Sequence, residues 1–210
     1  MIKSIIRKDE YRAIYRFLDR VSPVGFDCGT LCSSVCCGTP EDEQWEETMG
    51  IYLLPGEDKI HDKRDSWLKW SEESTDEYKF PDSWNGTVYF VKCKDAPCCP
   101  REKRPIQCRT YPLSPHFLDE GHLVLIWNMD EVPYSCPLID ENTELDRKFV
   151  LSTYTVWKHL VRDPLILDLV ETESVKREEK SGKIRVVYDP MRPDLYFGKR
   201  RADIDQERNI

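Results

Sequence analysis

Nine cysteines carry most of the chemistry this sequence can offer, spaced as Cys28-x3-Cys32-x3-Cys36-Cys37, then Cys93, Cys98-Cys99, Cys108 and Cys136. Thiolates acting four at a time hold zinc at about 2.3 Å, or an iron-sulfur cluster. Close spacing lets one loop supply two or three ligands at little cost in closure entropy, and distant cysteines then complete the site. In a continuous helix Cys28, Cys32 and Cys36 would share a face but spread over ~12 Å, too far for one ion. The segment is therefore a loop, as Gly25, Gly29 and Gly38 favour, or its cysteines divide between two sites. The vicinal pairs Cys36-Cys37 and Cys98-Cys99 point the same way. Neighbouring side chains on an extended chain face opposite directions, so one member of each pair faces a different site or none.

The surroundings of these thiols suit ligation. From Lys92 to Arg109, six bases stand against only Asp95 and Glu102. Positive charge lowers a thiol pKa and offsets the negative charge of a four-thiolate centre. Other chemistry is sparse. There is no Gly-x-Gly-x-x-Gly or phosphate loop, and His61, His116, His122 and His159 are scattered. His116, nearest the Cys108 stretch, reads as a surface or capping histidine rather than a ligand, and the acids between 41 and 47 read as solvated.

Composition narrows the class further. With 31 basic and 39 acidic residues the 210-residue chain carries a net charge of -8, against the basic surface that nucleic-acid binding needs. The acidity is local, fourteen acids against five bases between 38 and 82, and reads as a solvated face. The first eight residues lack the apolar core of a secretory signal. Leu123 to Trp127, the longest apolar run, is far short of the ~20 residues that span a bilayer. These features predict a cytoplasmic protein that binds neither membrane nor nucleic acid. In a reducing compartment clustered cysteines serve metals or redox chemistry more often than disulfides, and an odd total fits a fully paired set poorly.

The elements that must position the thiols follow from periodicity. Tyr11, Ile14, Tyr15, Leu18 and Val21 predict an amphipathic helix over 8–20, ended by Pro23 and Gly25. Met49 to Leu54 predicts a short strand, and 58–70, with Ile60, Trp67, Leu68 and Trp70, a helix. Thr87 to Val91 and Leu123 to Trp127 read as strands forming a hairpin or small sheet with cysteines at its ends. Asn142 is the predicted N-cap of a helix carrying Leu145, Phe149, Val150, Tyr154, Trp157, Leu160 and Val161. A second helix starts at Asp163-Pro164 and runs to about Lys176, a strand covers Lys183 to Tyr188, and the charged end from Asp189 packs poorly.

The spaced cysteines before Cys36-Cys37, the stretch Cys99-Pro100-Arg101-Glu102-Lys103-Arg104-Pro105-Ile106-Gln107-Cys108-Arg109-Thr110-Tyr111-Pro112 and the later Cys136 together resemble a known group. It is the YkgJ-type cysteine-cluster family, described as zinc- or iron-chelating. The resemblance covers roughly 23 to 140 and is carried by the cysteines taken together with Arg104-Pro105-x-x-Cys108-Arg109. It implies Cys28, Cys32, Cys36, Cys37, Cys93, Cys99, Cys108 and Cys136 as metal ligands and leaves Cys98 spare. This sequence has three residues before Cys36-Cys37 where the family commonly has two, and Pro100-Arg101 where an apolar-aromatic pair is usual. Pro105 and Pro112 are expected to stiffen the loop presenting Cys108, Arg104 and Arg109 to donate to sulfur or backbone carbonyls, and Tyr111 to belong to the core.

The expected fold is small and α+β, an irregular cysteine-tethered metal-binding core with short strands and flanking helices. It divides into an N-terminal helix over 1–22, the cysteine-cluster domain over 23–140 and a helical extension over 141–210. The expected function is metal binding, with an iron-sulfur cluster or zinc as the cofactor, in redox or metal handling. An enzyme akin to the flagellin lysine methylases, which share such a cysteine domain, and a structural zinc module for an unknown protein partner are the alternatives.

Overall fold

The computed structural model describes residues 3–37, 50–76, 80–94, 99–130, 132–181 and 184–197. Helices combine with two three-stranded antiparallel sheets, an α+β fold. Helix α1, Lys8–Leu18, buries Tyr11, Ile14, Tyr15 and Leu18 on one stripe, and Glu10 reaches back to the Arg7 amide at 3.0 Å. Among the described residues no helix is long and apolar enough to cross a membrane.

The first sheet has the order β1-β3-β2, with β1 Ile51–Tyr52, β2 Leu68–Ser74 and β3 Thr87–Cys93. Here the sequence reading needs correction, because the region expected to be one helix over 58–70 is a 3-10 turn, Glu57–Ile60, then a loop and the start of β2. The apolar positions fit the strand instead. Leu68 and Trp70 lie opposite Cys93 and Val91 and so share one face of the sheet with them. Leu53, Trp67 and Cys99 complete the small core on that face. Met49 lies outside the described residues.

The second sheet has the order β4-β5-β6, with β4 Leu113–Leu118, β5 His122–Trp127 and β6 Val186–Tyr188. The runs at 87–91 and 123–127 are both strands, but they sit in different sheets and do not pair with each other. Strand β4 escaped the sequence reading because Pro115 interrupts it. Proline removes a ladder donor and is tolerated on an edge, which is where β4 lies. Central β5 is buried from Leu123 to Trp127. Its Leu123, Leu125 and Trp127 join the main core with α1, the helices below and Ile106.

Short helices α2, Gly29–Cys32, α3, Ile106–Thr110, and α4, Pro137–Asp140, carry or adjoin cysteines. Helix α5, Arg147–Leu160, packs the expected stripe, but its N-cap is Asp146, whose carboxylate accepts from the amides of Lys148 at 2.7 Å and Phe149 at 3.1 Å. Asn142, with φ 51°, instead accepts from Arg185 at 3.1 Å. Helix α6 runs on from Pro164 to Ser181, beyond the expected end. Asp189 opens the charged tail yet is 2% exposed, because His122 and the Met191 amide hold its carboxylate at 2.7 and 2.8 Å. A last helix, α7, spans Asp194–Phe197.

Asp163 ties the N-terminal segment to the start of α6. Fully buried, it accepts from the Ser4 hydroxyl at 2.5 Å, the Ile5 amide at 2.6 Å and, capping α6, the Leu165 amide at 2.9 Å. Replacing Asp163 by alanine leaves four donors, the Ser4 hydroxyl and the Ile5, Leu165 and Ile166 amides, without their acceptor and is expected to cost about 2–3 kcal/mol. Urea denaturation of Asp163→Ala against the parent chain measures it.

Candidate metal centre

The segment from Cys28 to Cys37 is neither the continuous helix nor the plain loop weighed from sequence. Cys28 occupies the N-cap position of the single turn α2, Ser33 (φ 52°) and Ser34 (φ 58°) both take left-handed conformations, and Val35–Cys37 forms a 3-10 turn. Left-handed geometry costs a residue other than glycine about 1–2 kcal/mol. The reversal is held by bonds from the Ser34 amide to the Gly29 carbonyl at 2.9 Å and from the Cys37 amide to the Ser34 carbonyl at 2.8 Å. Gly29 permits it, since a Cβ there would stand 2.3 Å from the Ser34 Oγ.

Breaking the helix gathers what a straight helix would have spread. Cys28, Cys32 and Cys36 line one cleft with Cys136, which arrives at the start of α4 from more than a hundred residues away. The cleft is partly open to solvent, and Tyr111 and Tyr134 are among the residues of its wall. Tyr111, expected in the core, is half-buried there, its ring edge-on to Tyr134 at 6.2 Å. Burial, with Asp27 and Cys32 nearby, pushes the Cys28 thiol up in pKa.

The remaining thiols gather around Cys99. Cys37 lies beside Cys99, and the Arg104 Nε donates to the Cys99 Sγ at 3.0 Å. Cys108, on α3, lies within electrostatic reach of Cys37, Cys99 and Arg104. Cys93, at the end of β3, packs in the same apolar cluster as Cys99. Cys36 and Cys37, with sulfurs 3.9 Å apart, stand where the two groups meet. The hydrogen bond with Cys36 raises the Cys37 thiol to about 11. The neighbouring Cys37 thiol and burial push Cys99 up, against the pull of Arg104.

Eight of the nine cysteines are thus placed, all of them as thiols with no disulfide among them. Cys98 and the acids at 41–47 lie outside the described residues. The donor set fits a sulfur-ligated centre in its chemistry, with thiols in two groups and a guanidinium on one sulfur. Among the described residues, no three histidine, cysteine, aspartate or glutamate side chains converge on one ion position as they stand. Arg109 donates to the Tyr15 carbonyl at 2.9 Å and pairs with Asp19, a backbone-carbonyl role of the kind expected for it. His116 corrects the surface reading. It is fully buried on β4, with its Nε2 3.3 Å from the Glu178 carboxylate but without hydrogen-bond geometry.

One acid that carries no sequence signal supports the site. Glu57 is fully buried and accepts from the Ile106 amide at 2.7 Å, the Leu54 amide at 3.0 Å and the Tyr15 hydroxyl at 2.6 Å. It thereby fixes the first residue of the helix that presents Cys108. Tyr15 has one proton to donate, and Glu57 takes it, so His61, with its Nε2 2.9 Å from the Tyr15 oxygen, is the donor there. Comparison with protein-family models, with curated proteins and with solved structures finds no match to this chain.

Burial lowers His61 from the ordinary 6.5 to about 4. Between those values the unfolded chain takes up a proton that the folded chain does not, so stability falls as pH drops through that window. From pH 7 to pH 4.5 this group alone is expected to remove about 2 kcal/mol. Denaturant titrations at the two pH values measure the loss, and in His61→Phe it should vanish.

Proposed function

We propose that this protein holds two inorganic centres through cysteine thiolates, one on Cys28, Cys32, Cys36 and Cys136, the other on Cys37, Cys93, Cys99 and Cys108. The observation that carries the reading is the split of the vicinal pair. Cys36 lines the cleft with Cys28, Cys32 and Cys136, while Cys37 lies beside Cys99. Eight thiols in two groups of four match the ligand count of two four-coordinate zinc sites or two cubane clusters. An iron-sulfur cluster is the first choice, because eight thiols with basic residues beside them suit a charged polynuclear centre, and zinc is the second. A redox or metal-handling role in a reducing compartment, the cytoplasm, follows from that choice.

Loading requires thiolates, and the thiols whose pKa is raised, Cys28, Cys37, Cys99 and Cys108, are protonated near neutral pH. Binding therefore releases protons and strengthens as pH rises.

Anaerobic purification followed by iron, zinc and acid-labile sulfide analysis tests the reading. Replacing Cys28 and Cys136 together by serine should remove about half of the bound metal, and replacing Cys99 and Cys108 should remove the other half. A chain with none of the three elements bound, even after anaerobic reconstitution, would refute metal binding. Variants that each lose all of the metal, or none, would refute two separate centres.

A further inference from the structure

Buried donors in folded proteins are almost always paired, so a buried one left without an acceptor needs an explanation. Trp67 is such a case. Its side chain is 7% exposed, and its indole Nε1 is buried with no hydrogen-bond partner. Its backbone carbonyl accepts from the Lys94 amide at 2.8 Å, which sets it beside the strand end that carries Cys93. The ring belongs to the same packed cluster as Cys93 and Cys99. Trp84 gives the contrast. It is buried to 4%, and its Nε1 donates to the Leu165 carbonyl at 2.9 Å.

An indole N–H can only donate, and a neutral thiol is a weak acceptor for it. A ligand thiolate is a strong one, because its charge shortens and strengthens the bond. Cys99 already receives one donor, the Arg104 Nε at 3.0 Å. Trp70 and Trp157 have an unpaired Nε1 as well, but the Trp70 ring stands edge-on to His61 at 6.1 Å and Tyr89 at 5.8 Å, and Trp157, on α5, packs in the main core rather than in the cluster of Cys93 and Cys99. We infer that Trp67 is a positioning residue for the centre on Cys37, Cys93, Cys99 and Cys108, its indole N–H donating to the Cys93 or Cys99 sulfur in the ligand state. The inference rests on the reading of that centre as sulfur-ligated. It gives the neutral Trp67 the part that charged Arg104 plays, drawing electron density from a ligand sulfur and fixing its direction.

The test uses the full chain, reduced and anaerobic, with its indoles labelled with nitrogen-15, titrated with Zn²⁺ alone and in parallel with Co²⁺ alone. On adding Zn²⁺ the Trp67 indole proton should move downfield while that of Trp84 stays in place. Trp67→Phe keeps an aromatic ring but loses the donor. It should lower Co²⁺ affinity about tenfold and move the sulfur-to-cobalt charge-transfer band to lower energy, a shift that lost packing alone would not produce. Trp84→Phe should change neither. If Zn²⁺ binds and the Trp67 resonance does not move, the Trp67 role is overturned and the centre stands, whether or not the variant folds. If the chain binds neither ion at these thiols, the centre itself falls, and the Trp67 role with it.

Discussion

Glu57 reaches three segments from one buried position: α1 through the Tyr15 hydroxyl, the turn before it through the Leu54 amide, and the start of α3 through the Ile106 amide. A carboxylate taken out of water is costly unless its oxygens are satisfied, and burial does raise its pKa. Three donors meet it. They also fix the geometry of a short helix that has little stability of its own, since five residues cannot form an autonomous helix. Cys108 sits on that helix, and Ile106 at its start is fully buried in the main core. The same carboxylate therefore joins the core to the thiol cluster.

The reversal at Ser33 and Ser34 does for the first cysteines what Glu57 does for Cys108. A helix maximises backbone hydrogen bonding but separates residues four apart by about 6 Å along its axis. Two left-handed residues sacrifice some of that bonding, and three sulfurs then line one cleft. The 3-10 turn that follows rotates successive residues by about a third of a circle. Cys36 and Cys37, adjacent in sequence, consequently serve different neighbours although their sulfurs are 3.9 Å apart.

Helices α1 and α5 were legible from apolar stripes at helical spacing, β3 and β5 from short unbroken runs of β-branched, aliphatic and aromatic residues, and the start of α6 from Asp163-Pro164. Where two periods overlap, the reading failed. Trp67, Leu68 and Trp70 fit a helical stripe, yet Leu68 and Trp70 are alternate positions of a strand whose partner, β3, supplies the deciding constraint. Asn142 and Asp146 are both good caps, and only the tertiary bond from Arg185 to Asn142 separates them. At the cluster, Arg104 was legible because a guanidinium beside cysteines in sequence has few other tasks. Glu57 and Trp67 were not, since their partners lie far along the chain and buried acids and indoles look like any others.

The charge balance of the cluster depends on which form the sulfurs take. As thiols they are neutral, and Cys28, Cys37, Cys99 and Cys108 are held so by raised pKa values, so the chain can fold around them without burying a group of like charges. As ligands, four thiolates on a doubly charged ion or cluster leave a net negative charge in a region of restricted solvent. Arg104 on the Cys99 sulfur and Arg101, near Cys28 and bonded to the Val21 carbonyl at 2.7 Å, are already placed against that charge. Both guanidiniums keep their charge whether the sulfurs are thiols or thiolates. The positive groups flanking the cysteines thus favour the ligand state, and burial favours the neutral one.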